Sequence, residues 1–194
     1  MCRGLRANIM RMGNLTNRSN DGVFQPNYDT NAFLKRVKAF LGLGMFPDYL
    51  MDGSVEFTPI DEAAHAVMTI ARHFSTEQTV FHIENSNLTP LRELIAYLNA
   101  LGYAIKEVGS EVFSDALRQT AKQKESKYIF ETFINEMDFE NRLVFSNTHV
   151  ETGFTAHYLH QLGFEWSAID VEYIKQYMET CGDFVKLLDR HELI

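Results

Sequence analysis

Short apolar runs of strand character alternate in this sequence with longer stretches whose apolar residues recur every three or four positions. That alternation restricts the chain to folds in which helices pack on a sheet. Ile9-Met10-Arg11-Met12 is a short apolar run that ends at Gly13-Asn14, as a strand does on entering a loop. Residues 15–28 are long and polar, a loop of the length that often carries function. A helix is predicted from about Asp29 to Leu43, with Phe33, Val37, Phe40 and Leu41 on one face and Gly44 as its stop. Ser54 to Phe57 alternates like a strand. Thr58-Pro59-Ile60-Asp61 then reads as a helix start, with Thr58 as cap and Asp61 as favourable N-terminal charge. Ala63, Val67, Ile70, Ala71 and Phe74 form the expected buried stripe of that helix. Val80 to Ile83 reads as a buried strand. Thr89-Pro90 opens a helix with Leu91, Leu94, Ile95 and Leu98 inward and Gly102 at its end.

From Ser110 the character changes. Helices are predicted over 110–123, 126–137, 152–162 and 169–178, with a short strand from Leu143 to Phe145. The predicted division is an α/β part over 1–108 and a mainly helical lobe over 109–194. With 194 residues, 45% of them hydrophobic, the chain can bury a sizeable core. Its formal charge of −8 disfavours nucleic acid and anionic membranes as partners. No apolar stretch is long enough to span a bilayer, and Met1 to Arg6 are not followed by the apolar core of a signal peptide. Cys2 and Cys181 are too few for a disulfide framework, so a cytoplasmic location is expected.

The ordered series Arg11-Met12-Gly13-Asn14-Leu15-Thr16, Asp21-Gly22, Phe24-Gln25-Pro26-Asn27, Asn31-Ala32-Phe33 and Val55-Glu56-Phe57-Thr58-Pro59-Ile60-Asp61 resembles a family. It is the thioester reductase domains that release chains from nonribosomal peptide synthetases, within the extended short-chain dehydrogenases. The endings Tyr158-Leu159, Leu162-Gly163-Phe164-Glu165-Trp166 and Ile169-Asp170 continue the resemblance, which runs from about Met10 to about Phe184. It implies an α/β fold: the late strands and helices of a Rossmann-like core, followed by a mainly helical substrate-binding lobe. It also implies reduction of a carrier-bound phosphopantetheine thioester, with hydride from NADPH, to an aldehyde or alcohol.

The family's glycine-rich dinucleotide turn and its tyrosine–lysine pair, four residues apart, are not found here. Gly42-Leu43-Gly44 reads as a helix stop, and no tyrosine has a lysine four residues on. The expectation is therefore the C-terminal, substrate-binding portion of such a domain. By itself it would bind no NADPH tightly and catalyse no hydride transfer. The missing N-terminal Rossmann half and a carrier protein would be its partners, and an exposed apolar face could support a homodimer. A non-catalytic carrier-binding module, and the C-terminal lobe of another extended dehydrogenase such as a sugar epimerase, stand as alternatives.

The resemblance places Asn14, Gln25 and Asn27 at the nicotinamide and thioester pocket, where an amide can both donate and accept. The plainer reading is that they satisfy loop backbone groups. Asn17 stands where the family usually has glycine. Lys35, Arg36 and Lys38 form a basic patch that could dock an acidic carrier protein, or simply be a solvated face. Arg18 could reach a phosphate or be solvated. His157 and His160 share a helix face but lack a partner for a metal site. Trp166 reads as core packing, with a lid over the substrate channel as the alternative.

Overall fold

The computed structural model describes residues 7–73, 79–124, 127–138, 142–144 and 151–180. β1 (Ile9–Met12) turns into β2 (Leu15–Thr16). A polar loop and a 3-10 turn at Tyr28–Thr30 lead to α1 (Ala32–Leu43). Then come β3 (Met45–Pro47), a 3-10 turn at Asp48–Leu50, β4 (Ser54–Val55), β5 (Thr58–Pro59) and α2 (Ile60–His73). β6 (Val80–Ile83), β7 (Thr89–Pro90), α3 (Leu91–Ala100) and β8 (Lys106–Val108) complete the mixed part. α4 (Ser110–Thr120), α5 (Lys127–Phe133), a 3-10 turn at Ile134–Glu136, α6 (Gly153–Gln161) and α7 (Val171–Thr180) follow. The strands pair two by two. β1 with β6, β2 with β5 and β3 with β8 are parallel, and β4 with β7 is antiparallel. The fold is α/β, with small, mostly parallel strand pairs among helices in its first part and helices after them.

Local chemistry explains most element boundaries. α1 starts later than Asp29 because the Asn31 side chain accepts the Leu34 amide at 2.9 Å and caps the helix there. It ends at Gly44, whose φ of 64° lets its amide reach the Phe40 carbonyl at 2.9 Å. Thr58 does not cap α2. It sits in β5, its hydroxyl donates to the Glu56 carboxylate, and the same oxygen accepts the Asn85 amide. Asp61 accepts from the Ser19 amide and hydroxyl at 2.9 and 3.0 Å, which ties the polar loop to the start of α2. The inward stripe of α2 is Ala63, Ala66 and Ile70; Val67 is half-buried and Ala71 exposed. Phe74 and Phe145 lie outside the described residues. Leu143 makes an isolated antiparallel bridge to Met137.

Two apolar clusters hold the elements together. The smaller places Ala66, Ile70, Phe81, Ile83, Leu159, Phe164 and Trp166 between α2, β6 and α6. Trp166 meets Phe164 edge to face at 5.0 Å, so its role here is packing. The larger joins α1, α3, α4, α5 and α7. At its centre the Phe57 ring lies 5.1 Å from Phe33, 6.4 Å from Tyr173 and 5.9 Å from Tyr177. α7 also fixes the polar loop. The Tyr173 hydroxyl lies 2.6 Å from Thr16 Oγ1 and donates to the Asn17 carbonyl at 3.0 Å, and the Thr180 hydroxyl donates to the Gly22 carbonyl at 2.7 Å. Burial pushes the Tyr173 phenol far above its ordinary range, so it stays neutral and can donate.

Phe57 is 1% exposed and bridges the strand segment to α1 and α7. Phe57→Ala should cost about 3–5 kcal/mol, the usual loss for a buried phenylalanine, read by urea unfolding. A loss within ~1 kcal/mol would mean that this ring cluster does not anchor α7.

Candidate functional site

β1 and β6 run parallel, in register from Ile9 opposite Val80 to Met12 opposite Ile83. Their carboxyl ends therefore open on the same side. Gly13-Asn14 leaves one strand there and Glu84-Asn85-Ser86 leaves the other. In open α/β sheets, ligands bind outside the carboxyl ends of the strands. A cleft of about 910 Å³ opens at this place, with Asn14, Glu56, Glu84, Asn85 and Ser86 at its polar mouth. Its other walls come largely from the apolar faces of α1 and α3, and the Arg36–Glu136 ion pair (2.5 Å) also borders it.

Glu56 organises the mouth. Its carboxylate accepts the Asn14 amide with both oxygens, at 3.1 and 2.9 Å, and also the Thr58 hydroxyl. The Asn14 side-chain amide reaches the Glu56 carbonyl at 3.5 Å, and the Thr58 amide donates to the Asn14 carbonyl at 3.0 Å. Asn85 extends the network by donating to the Ser167 carbonyl at 3.0 Å, and Asn87 does so to the Trp166 carbonyl at 2.8 Å. Gly13 is required by space, since a Cβ there would overlap the Glu56 carboxylate and the Glu84 side chain. Burial pushes the Glu56 carboxyl above its ordinary value of 4.5, opposed by hydrogen bonds from the Asn14 amide, the Thr58 hydroxyl and the Asn85 amide.

The sequence-derived candidates separate in space. Asn14 stands at the mouth of the cleft. Gln25 is half-buried and Asn27 exposed; both lie in the turn before α1, outside the cleft lining among the described residues. The Gln25 carbonyl accepts the Tyr28 amide at 3.2 Å and the Asn27 carbonyl accepts the Thr30 amide at 3.1 Å. Lys35, Arg36 and Lys38 border a second, shallow groove of about 360 Å³ with Tyr128, Glu131 and Glu136. Lys38 Nζ lies 5.6 Å from the centre of the Tyr28 ring. Arg36 and Glu136 border both cavities, so the ion pair is their common wall.

Glu56, Asn85 and Glu84 were not singled out from the sequence. The available signal was a lone carboxylate between Val55 and Phe57, just before a Thr-Pro helix start. Asn85 carried no such signal, because its role depends on a loop 27 residues beyond Thr58. Arg18 pairs with Asp21 at 2.5 Å. His160 lies 3.1 Å from Glu165, and His157 contacts Gln161 at 2.9 Å. Among the described residues no group of three His, Cys, Asp or Glu side chains could hold a metal ion. Cys2 and Cys181 lie outside the described residues. Gly42-Leu43-Gly44 does not fit a dinucleotide pyrophosphate: Gly44 ends α1, and a Cβ at Gly42 would meet the Tyr128 hydroxyl at 2.5 Å. No helix is long and apolar enough to cross a membrane, among the described residues.

The raised Glu56 pKa has a defined sign in stability. Between its unfolded and folded pKa values the folded chain holds more protons, so stability falls as pH rises. This contribution is complete below 4.5 and gone above the folded value. Relative to Glu56→Gln, the wild-type chain should lose unfolding free energy as pH is raised from about 4 to about 7. A difference that stays constant across that range would show that burial of Glu56 does not govern its titration.

No protein-family model matches the sequence. Over 122 residues, 63% of this chain, it is 26% identical to a linear gramicidin synthase polypeptide of Brevibacillus parabrevis. It is 34% identical to a thiolation-reductase di-domain from an archaeal non-ribosomal peptide synthetase, with a TM-score of 0.76 over 95% of this chain. The terminal R domain of the myxalamid PKS-NRPS biosynthetic pathway shares the fold at 20% identity, also with a TM-score of 0.76 over 95% of this chain. The chain spans 2% of the gramicidin synthase polypeptide, and 37% and 46% of the two solved chains. In sequence and fold, it is similar to the C-terminal portion of the terminal reductase domains of nonribosomal peptide synthetases.

Proposed function

We propose that this chain is the substrate-holding portion of a chain-release reductase. In this reading the complete domain reduces a carrier-bound acyl or peptidyl thioester to an aldehyde or alcohol with hydride from NAD(P)H. One observation carries it above the others: a cleft with a polar mouth at the carboxyl ends of two parallel strands. In this reading the dinucleotide phosphates and the proton-donating tyrosine are held elsewhere in the domain, a view supported by a sequence without a glycine-rich dinucleotide turn or a tyrosine four residues before a lysine. The part played by this chain is to bind and orient.

At the mouth, Asn14 presents a side-chain amide able to donate to a thioester carbonyl and to accept from an amide of the pantetheine arm. Glu56 holds the Asn14 backbone with both carboxylate oxygens, so the side chain leaves a fixed point. Such preorganisation lowers the cost of ordering the site when substrate arrives. The groove bordered by Lys35, Arg36 and Lys38 is the docking face for the carrier protein. Arg36 and Glu136 border both that groove and the cleft, so the docking face and the cleft share one wall. Asn27 is exposed near the start of α1 and can meet the carrier or another part of the domain. Gln25 lies in the same turn, half-buried.

Asn14→Ala should weaken binding of a butanoyl-pantetheine thioester about tenfold, the worth of one well-placed hydrogen bond, measured by calorimetry. Equal affinity would remove Asn14 from the site. Separately, charge reversal at Lys35 and Lys38 should weaken binding of the carrier protein at low salt, and unchanged binding would remove the docking face.

A further inference from the structure

The walls of the cleft carry more information than its mouth. On α1, Phe33, Val37 and Phe40 follow one another at i, i+4 and i+7 and so share a face. They keep 9%, 9% and 7% exposure, whereas Leu34 and Leu41 on the same helix keep 0% and 1%. On α3, Leu94, Ile95 and Leu98 form the matching stripe and also border the cleft. The two stripes are therefore a lining as well as a core. None of these six side chains offers a hydrogen-bond donor or acceptor. A pantetheine arm or a peptide brings amides that would lose water along this stretch without gaining a partner there, at a cost of about 1–3 kcal/mol each. A hydrocarbon chain incurs no such cost. The volume of about 910 Å³ falls within the usual range for a small-molecule site.

We propose that the cleft selects a linear aliphatic acyl group, held between α1 and α3 with its thioester end at Asn14. This rests on the thioester reading and specifies the substrate class within it. The Arg36–Glu136 pair on the shared wall disfavours an apolar chain passing beyond it into the carrier groove, so that wall bounds the length accepted.

The test measures dissociation constants of butanoyl-, octanoyl- and dodecanoyl-pantetheine, and of an alanyl-alanyl-pantetheine, on this chain below the micellar range. Affinity should rise with chain length by up to about fourfold per buried methylene, and the dipeptidyl thioester should bind no better than butanoyl. Ile95→Phe and Val37→Phe fill the cleft with apolar volume. Each should abolish the gain from octanoyl to dodecanoyl, and thermal unfolding of each variant reports that it is folded. If butanoyl binds and longer chains bind no tighter, or if the dipeptidyl thioester binds tightest, the aliphatic assignment is overturned and the thioester reading stands. If no thioester of any length binds, both are overturned.

Discussion

The Glu56 carboxylate is the contact on which the site depends. It is half-buried next to Gly13, takes the Asn14 amide with both oxygens and receives the Thr58 hydroxyl. A carboxylate drawn partly out of water loses hydration that hydrogen bonds must replace, and here the donors are backbone and hydroxyl groups from separate strand ends. The turn after β1, the segment before α2 and the loop after β6 are thereby fixed to one anion. Asn85 and Asn87 extend the same network to the turn at Trp166 and Ser167, so the smaller apolar core and the cleft mouth share supports.

A second layer of support comes from α7. Its Tyr173 and Thr180 hydroxyls hold the polar loop at Thr16, Asn17 and Gly22, while Asp61 holds it at Ser19. A loop this long and polar would cost entropy to order by itself. Here it is secured at several points by elements far away in sequence. Within the loop, Phe24 adds an apolar anchor, packing edge-on against Tyr177 at 5.9 Å.

Much of this was legible in the sequence, for local reasons. The stripes of α1 and α3 were readable because their apolar residues repeat at helical spacing, and Gly44 marked a helix end because only a left-handed residue closes that cap. The apolar run Ile9–Met12 ending at Gly13-Asn14 put Asn14 just past a strand, where the structure has it after β1. What was not legible depends on distance. β3 and β8 are three residues each and pair across about 60 positions, with no alternation to announce them. Thr58 looked like a helix cap because capping is local chemistry, but the competing partners Glu56 and Asn85 won in the folded chain. Gln25 and Asn27 carried the same amide chemistry as Asn14, and only the path of the turn before α1 separates them from the cleft.

In the proposed reading the thioester sits at the mouth formed by Asn14, Glu56 and Asn85. The most direct measurement uses a pantetheine thioester with a photoreactive diazirine beside the carbonyl, photolysed on the protein and mapped by mass spectrometry. Labels on the segments 13–14, 54–56 and 84–86 are the predicted result. Labels confined to the turn at 25–30, or spread over the surface without saturation, would contradict it.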